Sequence, residues 1–79
     1  MLLDVHLYAT LRDYAPPEAK AGVFTATLPD GGTVGNLLNA LGIGAEKVHM
    51  RMVNGVGVDD DHILNDKDRV GFFPPVGGG

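Results

Sequence analysis

Leu3, Val5 and Leu7 alternate with Asp4, His6 and Tyr8, the period-two pattern of a strand with one buried face. Thr10 to Asp13 lead from it to Tyr14-Ala15-Pro16-Pro17, where two prolines interrupt any helix, so the stretch reads as a loop. Val23 to Leu28 is β-branched and alternating, a second strand that pairs with the first through that loop, and Pro29-Asp30-Gly31-Gly32 ends it with turn chemistry. Val34, Leu37, Leu38 and Leu41 then recur at spacings of three and four, which predicts one short amphipathic helix. Thr33 stands at its N-cap and Gly42 where a left-handed C-cap is wanted. A helix this short cannot stand alone in water and must lie on a sheet.

The rest of the chain returns to strands. Val48 to Val53 reads as a third strand, Asn54-Gly55 as a tight hairpin turn, and Val56 to Val58 as its short return. Asp59-Asp60-Asp61 marks an exposed turn, Ile63-Leu64 dips back into the core, and Asn65 to Asp68 makes a further polar turn. Arg69 to Phe73 is the last strand, closed by Pro74-Pro75. Strand, strand, helix and three strand pieces make an α+β layer, one main helix on one face of a mixed sheet. The first and last strands are apolar and free of proline, so they can lie together at the centre, as in the β-grasp arrangement. Residues 1–75 form that domain and residues 76–79 a flexible tail.

Composition narrows the chemistry. The chain has 79 residues, a net charge of -4 and no cysteine, so it offers no disulfide and no thiol nucleophile of its own. The acidic balance argues against nucleic-acid binding, which needs a basic face to displace counterions. Met1 leads into Leu-Leu-Asp-Val-His with no basic leader and no apolar run long enough to span a membrane, which points to a cytoplasmic protein. His6, His49 and His62 lie on separate elements without metal-ligand spacing, so no metal is expected. The aspartate run lacks the alternate spacing of a calcium loop, and Gly31-Gly32 and Gly42-Ile43-Gly44 lack the lysine of a phosphate loop.

The stretch from Phe72 to Gly79 carries the most information. Pro74 and Pro75 lack N–H groups, so the strand cannot go on pairing past Phe73, and they hold the chain extended. Val76 leads into Gly77-Gly78-Gly79, the thinnest possible backbone, able to enter a slot that any Cβ would block. A thin end on a rigid stem suits chemistry on the end itself: adenylation of the Gly79 carboxylate, then attack by sulfur to leave a thiocarboxylate. A frayed terminus is the competing explanation.

At these residues the sequence resembles the MoaD/ThiS family of ubiquitin-like sulfur carriers, nearest to its MoaD branch, the small subunit of molybdopterin synthase. Leu7-Tyr8-Ala9-Thr10-Leu11-Arg12-Asp13, Val53-Asn54-Gly55, Asn65 to Val70 and above all Phe72-Phe73-Pro74-Pro75-Val76 carry the resemblance, with Gly78-Gly79 shared more widely. Lys67 stands where the family usually has a turn glycine, and Gly57 where an apolar contact residue is usual.

The resemblance implies a β-grasp fold and a non-catalytic carrier with no bound cofactor, only adenylate and thiocarboxylate states at Gly79. It implies an E1-like adenylating enzyme of the MoeB/ThiF type, a persulfide-bearing sulfurtransferase and a MoaE-like large subunit as partners. Tyr8, Arg12, Phe73, Pro74, Pro75 and Val76 are the candidate partner-binding residues. Tyr8 and one of Phe72 or Phe73 either build an exposed apolar patch beside the tail or are semi-buried packing residues. Arg12 either pairs with an acidic group on the activating enzyme or stands free. A thiamine-pathway carrier of the ThiS type, a ubiquitin-like modifier joined to lysines through Gly79, and an interaction domain with an inert tail are the rival readings.

Overall fold

A computed structural model describes residues 1–75. Its strands are β1 (Leu2–Leu7), β2 (Val23–Thr27), β3 (Met50–Val53), β4 (Val56–Gly57) and β5 (Arg69–Phe73), with one α-helix, α1 (Val34–Leu41), between β2 and β3. They form one mixed sheet in the order β2-β1-β5-β3-β4. The central pair, β1 and β5, is parallel, with Val5 opposite Val70 and Leu7 opposite Phe72. β2 flanks β1 and β3 flanks β5, both antiparallel. A parallel pair requires a crossover, and here the whole intervening chain, α1 included, supplies it. The expected β-grasp architecture is therefore present, with first and last strands at its centre.

The core follows from the alternation. Leu3, Val5 and Leu7 of β1, Val70 and Phe72 of β5 and Val53 of β3 point to one face of the sheet and are buried there. Val34, Leu37 and Leu38 of α1 meet them from the other side. Thr33 caps the helix as the sequence predicts: its hydroxyl accepts from the Asn36 N–H at 3.1 Å, and the Asn36 side chain accepts from the Thr33 N–H at 2.9 Å. This reciprocal capping box is worth about 1 kcal/mol to an otherwise marginal helix. Gly42 takes the left-handed C-cap, with φ of 74°. Asn54 and Gly55 both have positive φ, 51° and 83°, as a two-residue hairpin turn of primed type requires.

Three local readings change. The segment before Pro16 is a 3-10 helix, Ala9–Tyr14, rather than an open loop. The prolines end it but do not prevent it, because its hydrogen bonds close before Pro16, and burial of Leu11 in the core holds it down. The third strand begins at Met50, since Ala45–Lys47 turns as a short 3-10 helix and consumes the residues ahead of it.

The aspartate run, lastly, is not wholly solvated. Asp60 receives the Arg51 Nε–H at 2.6 Å, and its backbone oxygen accepts from the Gly35 N–H at the start of α1. Arg51 also donates to the carbonyls of Val48 and Ala45, at 2.9 and 3.1 Å. One guanidinium thus ties β3 both to the turn before it and to the foot of the helix.

Candidate functional site

The site is built where β5 leaves the sheet. Phe72 is completely buried and fixes the register of β5 against β1. Alternation then turns Phe73 to the opposite, solvent-facing side. The Tyr8 N–H donates to the Phe72 carbonyl at 3.2 Å, carrying the β1–β5 ladder one residue past β1. Tyr8 is thereby held beside Phe73, and the two rings stack with centroids 4.2 Å apart and planes 4° from parallel. His6 continues the row, its ring 6.5 Å from that of Tyr8 and its Nε2 3.0 Å from Asp4 Oδ2.

Of the two phenylalanines, Phe73 is therefore the one that shares a face with Tyr8. Tyr8 is 37% exposed and Met50, directly opposite Phe73 on β3, is 45% exposed. Met52 lies two residues along, opposite Gly71. Aromatic and methionine side chains clustered at a surface are of the kind that anchor protein partners. Sequence reasoning missed Met50, Met52 and Gly71 as members of the face. Their signal was present in the period of two: with Val53 and Val70 inward, the residues between must point outward.

The strand's last ladder bond is the His49 N–H to the Phe73 carbonyl at 2.7 Å. Pro74 and Pro75, which have no N–H, carry the chain out of the sheet. They border a cleft of about 500 Å³ shared with Leu11 and Tyr14 of the first 3-10 helix and with Glu46 and Lys47 of the second. Arg12 is exposed on the same helix, its aliphatic stem lying over Gly22, and it makes no ion pair among the described residues. The structure thus gathers Tyr8, Phe73, Pro74 and Pro75 at the exit of β5, with Arg12 on a neighbouring rim. The remaining sequence-derived positions, Val76, Gly77, Gly78 and Gly79, lie outside the described residues.

Two turns hold the base of β5. The Asn54 side chain donates to Asp68 Oδ1 at 2.8 Å and accepts from the Arg69 N–H at 3.0 Å. Asp68, nearly buried, also accepts from the Asn65 N–H at 2.8 Å. Lys67 keeps a left-handed backbone, φ 70°, so the turn retains a glycine-like conformation without the glycine. Among the described residues no group of three His, Cys, Asp or Glu side chains could hold a metal ion. No helix of these residues is long and apolar enough to cross a membrane.

Comparison with known proteins agrees with this architecture. The structure is similar to that of SAMP1 from Haloferax volcanii, at a TM-score of 0.76 and 22% identity over the whole of both chains. It is similar to a candidate molybdopterin converting factor, subunit 1, from Pyrococcus furiosus, at 0.74 and 29% identity, covering 95% of this chain and 98% of that one. It also resembles the Haloferax volcanii HVO 2177 protein, at 0.76 and 26% identity over 100% of this chain and 87% of that one. No curated protein matches the sequence at a significant level. The sequence profile of the ThiS family, by contrast, matches residues 5–79, from the middle of β1 through the glycines. With a match of that extent on a β-grasp domain, the chain belongs to the ThiS family.

Proposed function

We propose that the protein is a cytoplasmic sulfur carrier that works through Gly79, in the molybdopterin branch of the family. The observation that carries the reading is the junction of two features: a family match that runs on through Gly79, and a central strand that gives way to Pro74-Pro75 beside the partly exposed Tyr8–Phe73 stack. The body offers a docking face, and the thin end beyond it offers the reacting carboxylate.

The chemistry follows from the poor electrophilicity of a carboxylate. A Gly79 carboxylate oxygen attacks the α-phosphorus of ATP in an E1-like enzyme of the MoeB/ThiF type, and pyrophosphate leaves. The terminal sulfur of a sulfurtransferase persulfide then attacks the acyl carbon, and AMP leaves. A thiol reductant cleaves the resulting acyl disulfide and releases the thiocarboxylate. The chain supplies no acid, base or metal to these steps; its residues dock and present the end. Tyr8, Phe73, Pro74, Pro75 and Val76 would face the partner, with Arg12 meeting an acidic group on it.

The molybdopterin branch is supported by the Phe-Phe-Pro-Pro stem at Phe72 to Pro75 and by the likeness to the Pyrococcus furiosus protein. In that branch the loaded tail inserts into a MoaE-like large subunit and passes sulfur to a pterin precursor. The test is reconstitution of dithiolene formation from the loaded protein, a MoaE-like subunit and the precursor. Formation of the thiamine thiazole instead, in the matching reconstitution, would move the protein to the other branch.

A second reading rests on the Haloferax volcanii neighbours, one of which is described as small archaeal modifier protein 1. A modifier uses the same activated end but transfers it to lysine amines. Ladders of conjugates in lysate, lost on removal of Gly79, would favour it; a thiocarboxylated free pool favours the carrier.

A further inference from the structure

The sheet's solvent face is not flat beside the Tyr8–Phe73 stack. It carries a hollow of about 180 Å³ bordered by His6, Tyr8, Met52, Arg69, Gly71 and Phe73. Gly71 is the reason. It occupies an outward position on β5 between Arg69 and Phe73, opposite Met52, and its missing side chain leaves a gap among larger neighbours. A Cβ there would lie 3.5 Å from Tyr8 Cε2, 3.6 Å from Phe73 Cε1 and 4.0 Å from Met52 Cβ. Gly71 is itself buried at the floor of the hollow, yet an added methyl group would fit there at ordinary contact distances.

Two further observations say what would fill it. Gly71 stands three residues before Pro74, and Gly79 lies four residues beyond Pro75, an extended reach of about 13 Å. Any protein that holds Gly79 must come within that distance of Pro75, and so lies close against this face or against the cleft beside the prolines. Both are walled largely by apolar groups, but the rim of the cleft carries both charge signs, Asp13 and Glu46 against Lys47, whereas the hollow, between Tyr8, Met52 and Phe73, carries the Arg69 guanidinium at its edge. Arg69 at the hollow's edge makes no ion pair among the described residues, because Asp4, its partner in register, faces His6 instead. An apolar pit with an unpaired cation on its rim fits an apolar side chain with a carboxylate near it.

We propose that Gly71 is a specificity-determining position: the hollow above it seats one apolar side chain of the protein that receives the tail, and Arg69 pairs with a carboxylate on the same partner segment. This rests on the carrier reading and adds the partner's chemistry to it. The sheet presents a socket, and the partner segment is an acidic-apolar knob.

The test uses the full chain and a ThiF-type adenylating enzyme, reading adenylation by ATP–pyrophosphate exchange. Gly71→Ala and Gly71→Val fill the hollow progressively, and Arg69→Glu reverses the rim charge. The wild type is expected to be adenylated. Gly71→Ala should raise KM about tenfold with kcat at saturation and the thermal midpoint held, and Gly71→Val, whose γ carbons would press on the Tyr8 and Phe73 rings, should raise it further. Arg69→Glu should raise KM and reduce its dependence on salt. Wild-type KM in both glycine variants would overturn the socket while leaving the carrier reading intact, since the wild type is still loaded. A wild-type KM and salt response in Arg69→Glu would overturn the carboxylate. Failure of the wild type itself, with an enzyme that loads a reference carrier, would instead sink the carrier reading and this inference together.

Discussion

Tyr8 and Phe73 lie face to face at the ends of the adjacent central strands, 4.2 Å between ring centroids, beside the exit of β5. Both are outward residues, and the proposed function makes their stack part of the docking face. Phe73→Ala should cost about 1–2 kcal/mol of stability, from half-buried area and the lost stack. Its affinity for a MoaE-like subunit should fall by more, about tenfold or beyond, as befits an aromatic anchor. Urea denaturation and calorimetric titration separate the two effects, and an unchanged affinity would remove Phe73 from the interface.

Asn54 joins the β3–β4 hairpin to the start of β5 through Asp68 and Arg69. Asn54→Ala removes both side-chain bonds, leaves the nearly buried Asp68 short of a donor, and forces alanine to hold a φ of 51°. The expected loss is about 2–3 kcal/mol, larger than for any exposed turn residue. Asn54→Gly, which keeps the backbone but not the bonds, should lose less. Equal losses in the two variants would show that the bonds alone matter.

Lys67 takes a left-handed conformation that ordinary side chains disfavour. Lys67→Gly should raise stability by about 0.5–1 kcal/mol, the backbone relief exceeding the extra entropy of the unfolded chain. A drop in the thermal midpoint would mean that the Lys67 side chain contributes contacts its exposure does not suggest.

Arg51 makes four contacts from one guanidinium: two with Asp60 and one each with the Val48 and Ala45 carbonyls. A lysine keeps the charge but cannot reproduce that fork, so Arg51→Lys should lose about 1–2 kcal/mol. Because the bond to Ala45 braces the turn that borders the Pro74–Pro75 cleft, amide exchange should quicken at residues 45–48 in this variant. Exchange as slow as in the wild type would assign the brace to the core contacts of Val48 instead.

The strands and the helix were legible because each is set by local periodicity and local caps: Leu3-Val5-Leu7 for β1, and Thr33 and Gly42 for α1. The central placing of β1 and β5 was legible because both are apolar and free of proline; their parallel pairing came only with the structure. The 3-10 helix at Ala9–Tyr14 was not, since its stability comes from Leu11 reaching a core built mainly from distant segments. The role of Asp60 was hidden for a similar reason: its partner Arg51 lies nine residues back, across a hairpin, and no spacing rule links them. For the candidate site, alternation placed Tyr8 on the outer face beside one of Phe72 and Phe73, and burial of Phe72 in the structure selects Phe73. Gly71 escaped notice because an absent side chain leaves no pattern until its neighbours are in place. The residues on which the proposed chemistry depends, Gly77 to Gly79, lie outside the described residues, and their role is argued from sequence and family.

The carrier account stands on covalent change at a single atom of the chain's end. Intact-mass measurement of the full-length protein, after incubation with ATP, an E1-like enzyme and a persulfide donor, reads that change directly. The account predicts one oxygen replaced by sulfur, located by fragmentation to Gly79 and absent from a variant lacking that residue. An unchanged mass, under conditions in which a known carrier is fully converted, would contradict it.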